Sequence, residues 1–293
     1  MNKALPYILG GACIVLVGIG ICGAVSECRP ERSVTSDAPA AAAENNRSPK
    51  AGTPIAASVA APSHFSGLDH VKIPSSVPSQ EKEYTGFRLS FNSENHTPNW
   101  VAWELLGSET EGPKGRTNNF WQDPDLDGCP TTGDYRGSGF DRGHMCPAAD
   151  QKWSETAMSD CFVLANICPQ NHSLNSGAWN TLENKERAWA RRDSAIVIVA
   201  GPIYEKSDTR TIGEARVRVP SAFFKVIAAP YADNPRGIAF VYPNMTSPGN
   251  MEQYVMTIRD VESLTGFDFF HNLPDDIEEA VESVSSFKDW NRR

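Results

Sequence analysis

The sequence predicts an α+β domain with an antiparallel sheet, because strand-like runs predominate and helical segments are few. Strand-like runs cover residues 84–91, 99–105, 161–167, 196–200, 216–228 and 238–242. Helical spacing of apolar residues is found over 176–192 and 251–264. Strands and helices do not alternate strictly along the chain. A doubly wound parallel sheet is therefore disfavoured.

Each run has its own local signal. Residues 84–91 alternate in the manner of a strand with one buried face, and turn-forming residues at 92–98 separate them from the next strand at 99–105. The run at 161–167 is short and apolar, which is typical of a buried strand. The later runs are β-rich. The chain thus predicts several strands before and after the helix at 176–192.

The amino terminus predicts export. Residues 4–26 contain no charged side chain and are rich in Ile, Leu, Val, Gly and Ala. Residues 1–28 are therefore expected to be a secretory signal peptide or a retained membrane anchor. Either places the protein in the periplasm, outside the cell or on the outer side of the cytoplasmic membrane. Residues 29–65, rich in Ala, Pro and Ser, are predicted to be a disordered linker, which leaves 66–293 as the folded domain.

The charge of the chain argues against a broad basic surface. The formal net charge is −9, and residues 51–293 carry −10 because residues 1–50 contain five Lys/Arg and four Asp/Glu. A protein that grips nucleic acid over a wide area is usually basic. A positive cleft within an acidic domain stays compatible with this composition. The basic residues proposed for such a groove are Arg116, Arg142, Lys185, Arg187 and Arg191.

Cysteine usage leaves the redox state open. Four cysteines, Cys129, Cys146, Cys161 and Cys168, lie within the predicted domain. An even number in an exported chain favours disulfides slightly over buried thiols, with three possible pairings. A zinc site is disfavoured because no Cys-x-x-Cys pair is present.

The segment Asp141-Arg142-Gly143-His144 contains residues suited to phosphate chemistry. Hydrolysis of a phosphodiester needs a base for water and a cation on the phosphate oxygens. A neutral histidine is a suitable base, and an adjacent arginine binds phosphate through two hydrogen bonds. Gly143 allows a tight turn or a close approach of the backbone. Taken alone, four such residues more often belong to an ordinary surface loop than to a catalytic site.

A second cluster supplies a candidate metal ligand, which the Asp-Arg-Gly-His segment lacks. Asn175 precedes the predicted helix, where asparagine is a common N-cap; its amide oxygen also suits a hard cation such as Mg²⁺. Glu183 lies eight positions on, roughly 80° around a regular helix, and shares a broad face with Asn175. The alternative for Glu183 is an exposed pair with Arg187 at i+4.

Together these motifs resemble the DNA/RNA non-specific endonuclease family of the ββα-metal type. The shared elements are Asp-Arg-Gly-His, Asn-Ile-x-Pro-Gln beginning at Asn166, and Leu-Asn-x-Gly-x-Trp-x-x-Leu-Glu ending at Glu183. The resemblance implies a central antiparallel sheet flanked by helices, with a ββα-metal motif at the catalytic site. It also implies a Mg²⁺ cofactor, with Mn²⁺ as the alternative ion.

The resemblance assigns a role to each motif residue. His144 is the general base, Asn175 is the metal ligand and Glu183 acts through a metal-bound water. Arg142 binds the phosphate and Arg116 stabilises the transition state. Three further residues are expected to bind substrate or shape the site: Asn166, Gln170 and Arg187.

The sequence thus predicts a sugar-non-specific endonuclease that hydrolyses DNA and RNA. Two alternatives stay open: a phosphodiesterase for small nucleotides, which the acidic charge favours, and an inactive nucleic-acid-binding module. Expected partners are DNA and RNA as substrates and a membrane at the amino-terminal segment. A homodimer is one possible oligomeric state.

Overall fold

The computed structural model describes residues 67–207, 209–246 and 249–292. The expectations for residues 1–28 and 29–65 lie outside these ranges. In chain order the strands are β1 (Gln80–Tyr84), β2 (Phe87–Asn92), β3 (Thr97–Leu106), β4 (Asp141–His144), β5 (Ile167–Gln170), β6 (Ala195–Ile203), β7 (Thr211–Ile212), β8 (Val217–Arg218), β9 (Ala222–Ala229), β10 (Arg236–Pro243) and β11 (Val255–Met256). The helices are α1 (Thr132–Tyr135), α2 (Glu155–Asp160), α3 (Asn180–Asp193), α4 (Ile258–Thr265), α5 (Asp275–Ser283) and α6 (Phe287–Trp290).

Seven strands form one sheet in the order β1-β2-β3-β6-β9-β10-β11. Every neighbouring pair in this sheet is antiparallel. The predicted α+β class with a central antiparallel sheet is therefore confirmed. Two further ladders, β4-β5 and β7-β8, lie outside this sheet.

The sheet separates two hydrophobic cores. Successive side chains of a strand point to opposite faces, so Val101 and Trp103 of β3 enter one core while Trp100 and Ala102 enter the other. The first core also contains the buried residues of α3 and of the β4-β5 ladder, and the second contains those of α4 and α5. The candidate site is consequently built on the first face.

Several predicted boundaries are wrong for identifiable reasons. Residues 84–91 form two strands, not one, because the chain reverses at Thr85 and Gly86. The Gly86 carbonyl accepts from Gln151 Nε2 at 3.3 Å, and a Cβ atom on Gly86 would lie 1.8 Å from Gln151 Oε1, so a larger residue would displace this buried side chain. Residues 161–167 contain a 3₁₀ turn, Leu164–Asn166, and β5 begins only at its end. The predicted helix at 251–264 is instead a 3₁₀ turn, Met251–Tyr254, the short strand β11 and then α4, which begins at Ile258.

The four cysteines of the domain are free and buried. The expectation of disulfides is therefore wrong. Their sulfur atoms are packed in the core: Cys146 Sγ lies 3.2 Å from Gln151 Nε2, and the Cys161 thiol donates to the Met158 carbonyl at 3.1 Å. Burial raises the pKa of the Cys146 and Cys168 thiols well above the ordinary value, which keeps them protonated and unreactive.

Candidate functional site

A two-stranded ladder followed by a helix forms the frame of the candidate site. Asp141 pairs with Gln170 and His144 pairs with Ile167 across β4 and β5. The Trp179 indole Nε1 donates to the His144 carbonyl at 3.3 Å, which ties the end of β4 to the start of α3. The Asp-Arg-Gly-His segment is thus a strand, held on one side by β5 and on the other by the helix.

The helix begins earlier than predicted and contains a π-helical turn, Leu174–Trp179. The backbone N–H of Asn175 donates to the Asn171 carbonyl at 2.9 Å, and the Asn171 side chain accepts from the N–H groups of Ser173 and Leu174. Asn171 therefore caps the helix, and the N-cap reading of Asn175 is wrong. Each residue of a π turn rotates the chain about the helix axis by less than a residue of an α turn does. The angle about the axis between Asn175 and Glu183 is therefore smaller than the ~80° of a regular helix.

The amide of Asn175 is oriented by Asp141. Its Nδ2 donates to Asp141 Oδ2 at 2.9 Å, and His172 Nδ1 lies 2.9 Å from the same oxygen. Because the amide nitrogen is hydrogen-bonded to a carboxylate, the Asn175 Oδ1 is the atom left to accept a hydrogen bond or to ligate a metal ion. Asp141 had no assigned role at the sequence level, and its position directly before Arg142 was the only signal.

His144 is almost fully buried, with 7% of its surface exposed. Its ring packs edge-on against Phe162 at 4.9 Å between centroids and lies 5.5 Å from Phe120. The Nε2 atom is buried and has no hydrogen-bond partner among the described residues. A buried acceptor of this kind costs about 1–3 kcal/mol, so its presence in a folded protein points to a functional role.

Burial, together with the smaller effect of the Arg116 and Arg142 charges, lowers the pKa of His144 to about 3. The imidazole is therefore neutral at pH 7 and able to accept a proton. The phenylalanines responsible for much of this desolvation were not identified from the sequence, because Phe120 and Phe162 are distant from the motif.

This shift predicts a pH-dependent stability. Between the ordinary histidine pKa of about 6.5 and the folded value, the unfolded chain binds a proton that the folded chain does not. The contribution of neutral His144 to the free energy of unfolding is complete above about pH 6.5, and it is lost as the pH falls toward 3. Urea unfolding at pH 7, 6 and 5 should show the wild-type free energy of unfolding falling more steeply than that of His144→Gln, by up to about 1.4 kcal/mol per pH unit. If the free energies of unfolding of the wild type and of His144→Gln changed in parallel with pH, the lowered pKa of His144 would be contradicted.

Beneath the site, α3 contributes a buried charged cluster. Lys225 of β9 is fully buried, with its Nζ 2.9 Å from Glu186 Oε2 and 4.0 Å from Glu183 Oε1. Arg187 pairs with buried Asp150 at 2.7 Å. The alternative of an exposed Glu183–Arg187 pair is therefore wrong. Burial raises the pKa of Glu183 to about 7, and the Lys225 charge opposes that rise.

Three arginines line a cleft of about 720 Å³ next to His144: Arg116, Arg136 and Arg142. The Arg142 guanidinium carbon lies 4.1 Å above the Phe120 ring, and that of Arg116 lies 5.4 Å from the Phe162 ring. All three are exposed, and none has an ion-pair partner among the described residues. This cleft differs from the basic groove predicted from the sequence. It includes Arg136, which was not predicted, and it lacks Arg187, Arg191 and Lys185.

Those three residues have partners elsewhere. Arg187 is in the buried cluster, Arg191 donates to Thr110 at 3.0 Å, and Lys185 donates to Asn291 at 2.8 Å. The structure therefore brings Arg116 and Arg142 to His144 but places Arg187 beneath the site.

Asn166 and Gln170 are fully buried. The Asn166 amide donates to the carbonyls of Cys146 and Cys161 and accepts from the Cys146 N–H, so it fixes the chain after β4 to the chain before β5. A Cβ atom on Gly143 would lie 2.3 Å from Gln170 Oε1, which explains the glycine of the motif. Both residues thus shape the ladder from within.

The chain belongs to the DNA/RNA non-specific endonuclease family, whose sequence model matches residues 66–276. It is 35% identical to the mitochondrial nuclease EXOG of Xenopus laevis over 216 residues, which is 67% of this chain and 60% of that protein. It is 31% identical to the mitochondrial endonuclease G of Bos taurus over 209 residues, 66% of this chain and 70% of that protein. A nuclease of Nostoc sp. is 32% identical over 213 residues, 67% of this chain and 75% of that protein. The chain thus spans about three-fifths of the length of the EXOG relatives it matches.

The fold is similar to that of a solved structure of the EndoG/EndoGI complex, described as showing the mechanism of EndoG inhibition. The TM-score is 0.63 at 27% sequence identity, over 70% of this chain and 90% of that one. This likeness agrees with the antiparallel sheet and the family assignment.

The expectation of an exported or membrane-anchored protein is wrong. The animal relatives at 31–35% identity are mitochondrial nucleases by name. Within the described ranges, no helix has the length and apolar character needed to cross a membrane. An apolar run satisfies the requirements of more than one cellular membrane, so the composition of residues 1–28 did not specify a compartment.

Proposed function

We propose that this protein is an endonuclease that hydrolyses internal phosphodiester bonds of DNA and RNA, with His144 as the general base. The observation that carries the proposal is the buried, neutral imidazole with an unpartnered Nε2 beside two unpaired arginines. Its relatives are named nucleases, and its family acts on both nucleic acids by description.

The roles of the other residues follow from their positions. Arg142, stacked on Phe120, is proposed to bind the phosphate oxygens, and Arg116 to stabilise the charge that develops during attack. His144 accepts a proton from water through Nε2. Asn166 holds the ladder in which His144 sits through its amide hydrogen bonds, and Gln170 packs against Gly143 of the ladder. Arg187 acts as an internal partner of Asp150.

The donor set fits a single hard cation such as Mg²⁺. Asn175 offers an oriented amide oxygen and Glu183 a carboxylate, and both are oxygen donors of the kind that Mg²⁺ prefers. Mg²⁺ is usually held by one or two protein oxygens and keeps several waters. When bound, it would supply charge to neutralise the phosphate and the leaving oxygen. The ββα-metal motif stays part of this proposal, as does Mn²⁺ as an alternative ion.

Removing the Asn175 amide is expected to weaken the metal dependence. Asn175→Ala should raise the Mg²⁺ concentration for half-maximal cleavage by roughly tenfold or more, whereas Asn175→Asp keeps an oxygen ligand and should lose less. Titration with Mn²⁺ followed by electron paramagnetic resonance gives the affinity without an activity assay. Asn180→Ala, an exposed asparagine on the same helix, is the control. Unchanged Mn²⁺ affinity in Asn175→Ala would remove this residue from the metal site.

Cleavage of polymers is favoured over action on small nucleotides by the arginine cleft. The acidic charge of the domain repels a polyanion at long range, but three unpaired arginines concentrate positive charge where the phosphate binds. The full chain should cleave plasmid DNA and RNA with Mg²⁺ and neither with chelator. Cleavage of a dinucleotide alone would establish the phosphodiesterase instead, and binding without cleavage would establish the inactive module.

A further inference from the structure

The arginines that line the cleft, Arg116, Arg136 and Arg142, form no ion pair among the described residues. Six arginines of the described ranges form ion pairs: Arg88, Arg187, Arg192, Arg236, Arg259 and Arg292. The three that line the cleft do not, although the domain has an excess of carboxylates. Asp141 also lines the cleft, but its Oδ2 accepts from Asn175 Nδ2 and lies 2.9 Å from His172 Nδ1. Adjacent like charges repel, so three arginines that outnumber this carboxylate fit a ligand that brings several negative charges of its own.

Arg136 differs from its two neighbours in relation to the base. Arg116 and Arg142 are the charges that act on His144, and Arg136 is not among them. It nevertheless lines the same cleft, which is larger than a single phosphate requires. Arg136 is thus placed to contact a part of the ligand that lies away from the reacting phosphorus.

The backbone that carries Arg136 is fixed on three sides. Its N–H donates to the Gly133 carbonyl at 3.2 Å as α1 ends. The preceding Tyr135 is buried and donates its hydroxyl to the Ile167 carbonyl of β5 at 3.1 Å. Asp134 accepts from the Ala215 N–H at 2.8 Å, which joins α1 to the loop between β7 and β8. An exposed side chain on an immobile backbone reduces the ordering cost of binding.

Aromatic rings accompany the arginines along the cleft. Phe120 and Phe140 are half-buried and line it together with Arg136. Each ring carries a guanidinium over one face, that of Arg142 at 4.1 Å from Phe120 and that of Arg210 at 4.5 Å from Phe140. The rings thus hold guanidinium groups at the cleft, where such groups bind phosphates. The combination suits an extended strand with more than one phosphate.

We propose that Arg136 is a specificity-determining residue that binds a backbone phosphate next to the one being cleaved, so that the site favours polynucleotides over dinucleotides. The inference rests on the proposed endonuclease function and names the substrate feature, a flanking phosphate, that the cleft selects.

The test compares single-stranded oligonucleotides of increasing length, starting from a dinucleoside monophosphate, which has no flanking phosphate. For the wild type, kcat/KM should rise once the flanking phosphate is present. In Arg136→Gln the longer substrates should lose about tenfold or more, the effect of one charge-assisted hydrogen bond, and the loss should grow with length. The slope of log KM against log salt should fall by about 1. Arg136→Lys should recover part of both effects.

Arg259→Gln, an exposed arginine on α4, is the matched control for a lost surface charge. An equal loss on every length, or no loss on the longer substrates, would overturn the role of Arg136 while leaving the endonuclease intact. Absence of cleavage by the wild type on all lengths would overturn the proposed function and this inference with it.

Discussion

Replacing His144 with alanine is expected to lower the rate of phosphodiester cleavage by about 10²–10⁴-fold, the usual contribution of a general base. The reason is that Nε2 of this buried, neutral ring is the unpartnered acceptor beside Arg116 and Arg142. The loss should appear in kcat, since the arginines that bind the phosphate stay in place. Single-turnover cleavage of a labelled oligonucleotide with saturating Mg²⁺ measures it directly.

Two further variants make the result specific. His144→Gln keeps most of the side-chain volume between Phe120 and Phe162, so it separates loss of the base from loss of packing. His70→Ala is the control, because His70 lies beside Val71 of the second core, on the opposite face of the sheet. A folded His144→Ala protein with wild-type kcat would show that another group takes the proton.

The second large effect is expected on stability. Lys225→Met should lower the free energy of unfolding by about 3–5 kcal/mol, because it leaves the buried Glu186 carboxylate without its 2.9 Å partner. Lys225 also lies 4.6 Å above the Trp179 ring, so its loss removes a cation–π contact as well. Urea unfolding followed by tryptophan fluorescence measures the change.

Removing both charges tests the cause. Lys225→Met combined with Glu186→Leu should be more stable than Lys225→Met alone, since a buried ion pair is replaced by apolar packing. Lys72→Met is the matched control, because its partner Asp268 is exposed and such surface pairs contribute about 0–1 kcal/mol. If Lys225→Met were as stable as the wild type, the result would mean that Glu186 becomes protonated at no cost in free energy of unfolding.

Much of the sheet was predictable because its strands carry local signals. The runs at 99–105, 196–200 and 238–242 coincide with β3, β6 and β10, whose apolar side chains fill two cores. Boundaries failed where a tertiary contact decides the backbone. The turn at Thr85 and Gly86 is hydrogen-bonded to Asp160 and Gln151, which are distant in sequence. The π turn before α3 leaves no mark in apolar spacing.

The candidate site divides in the same way. The motif residues His144, Arg142 and Asn175 could be named from sequence because their order and spacing match a family pattern. The electrostatic partners of the residues beneath the site could not be named from the sequence. Pairing of Arg187 with Asp150, and of Lys225 with Glu186, depends on how α3 packs against the sheet. Arg136 belongs to none of the motifs found in the sequence, and only the fold shows that it joins the cleft.

The most direct test of the account is the conversion of supercoiled plasmid to open-circular and linear forms by the full chain. With Mg²⁺ the wild type should nick the closed circle, and both chelator and His144→Ala should prevent nicking. A closed circle has no ends, so this conversion requires internal cleavage at the His144 site. Persistence of the supercoiled form with wild-type protein and Mg²⁺, or equal nicking by folded His144→Ala, would contradict the proposed endonuclease.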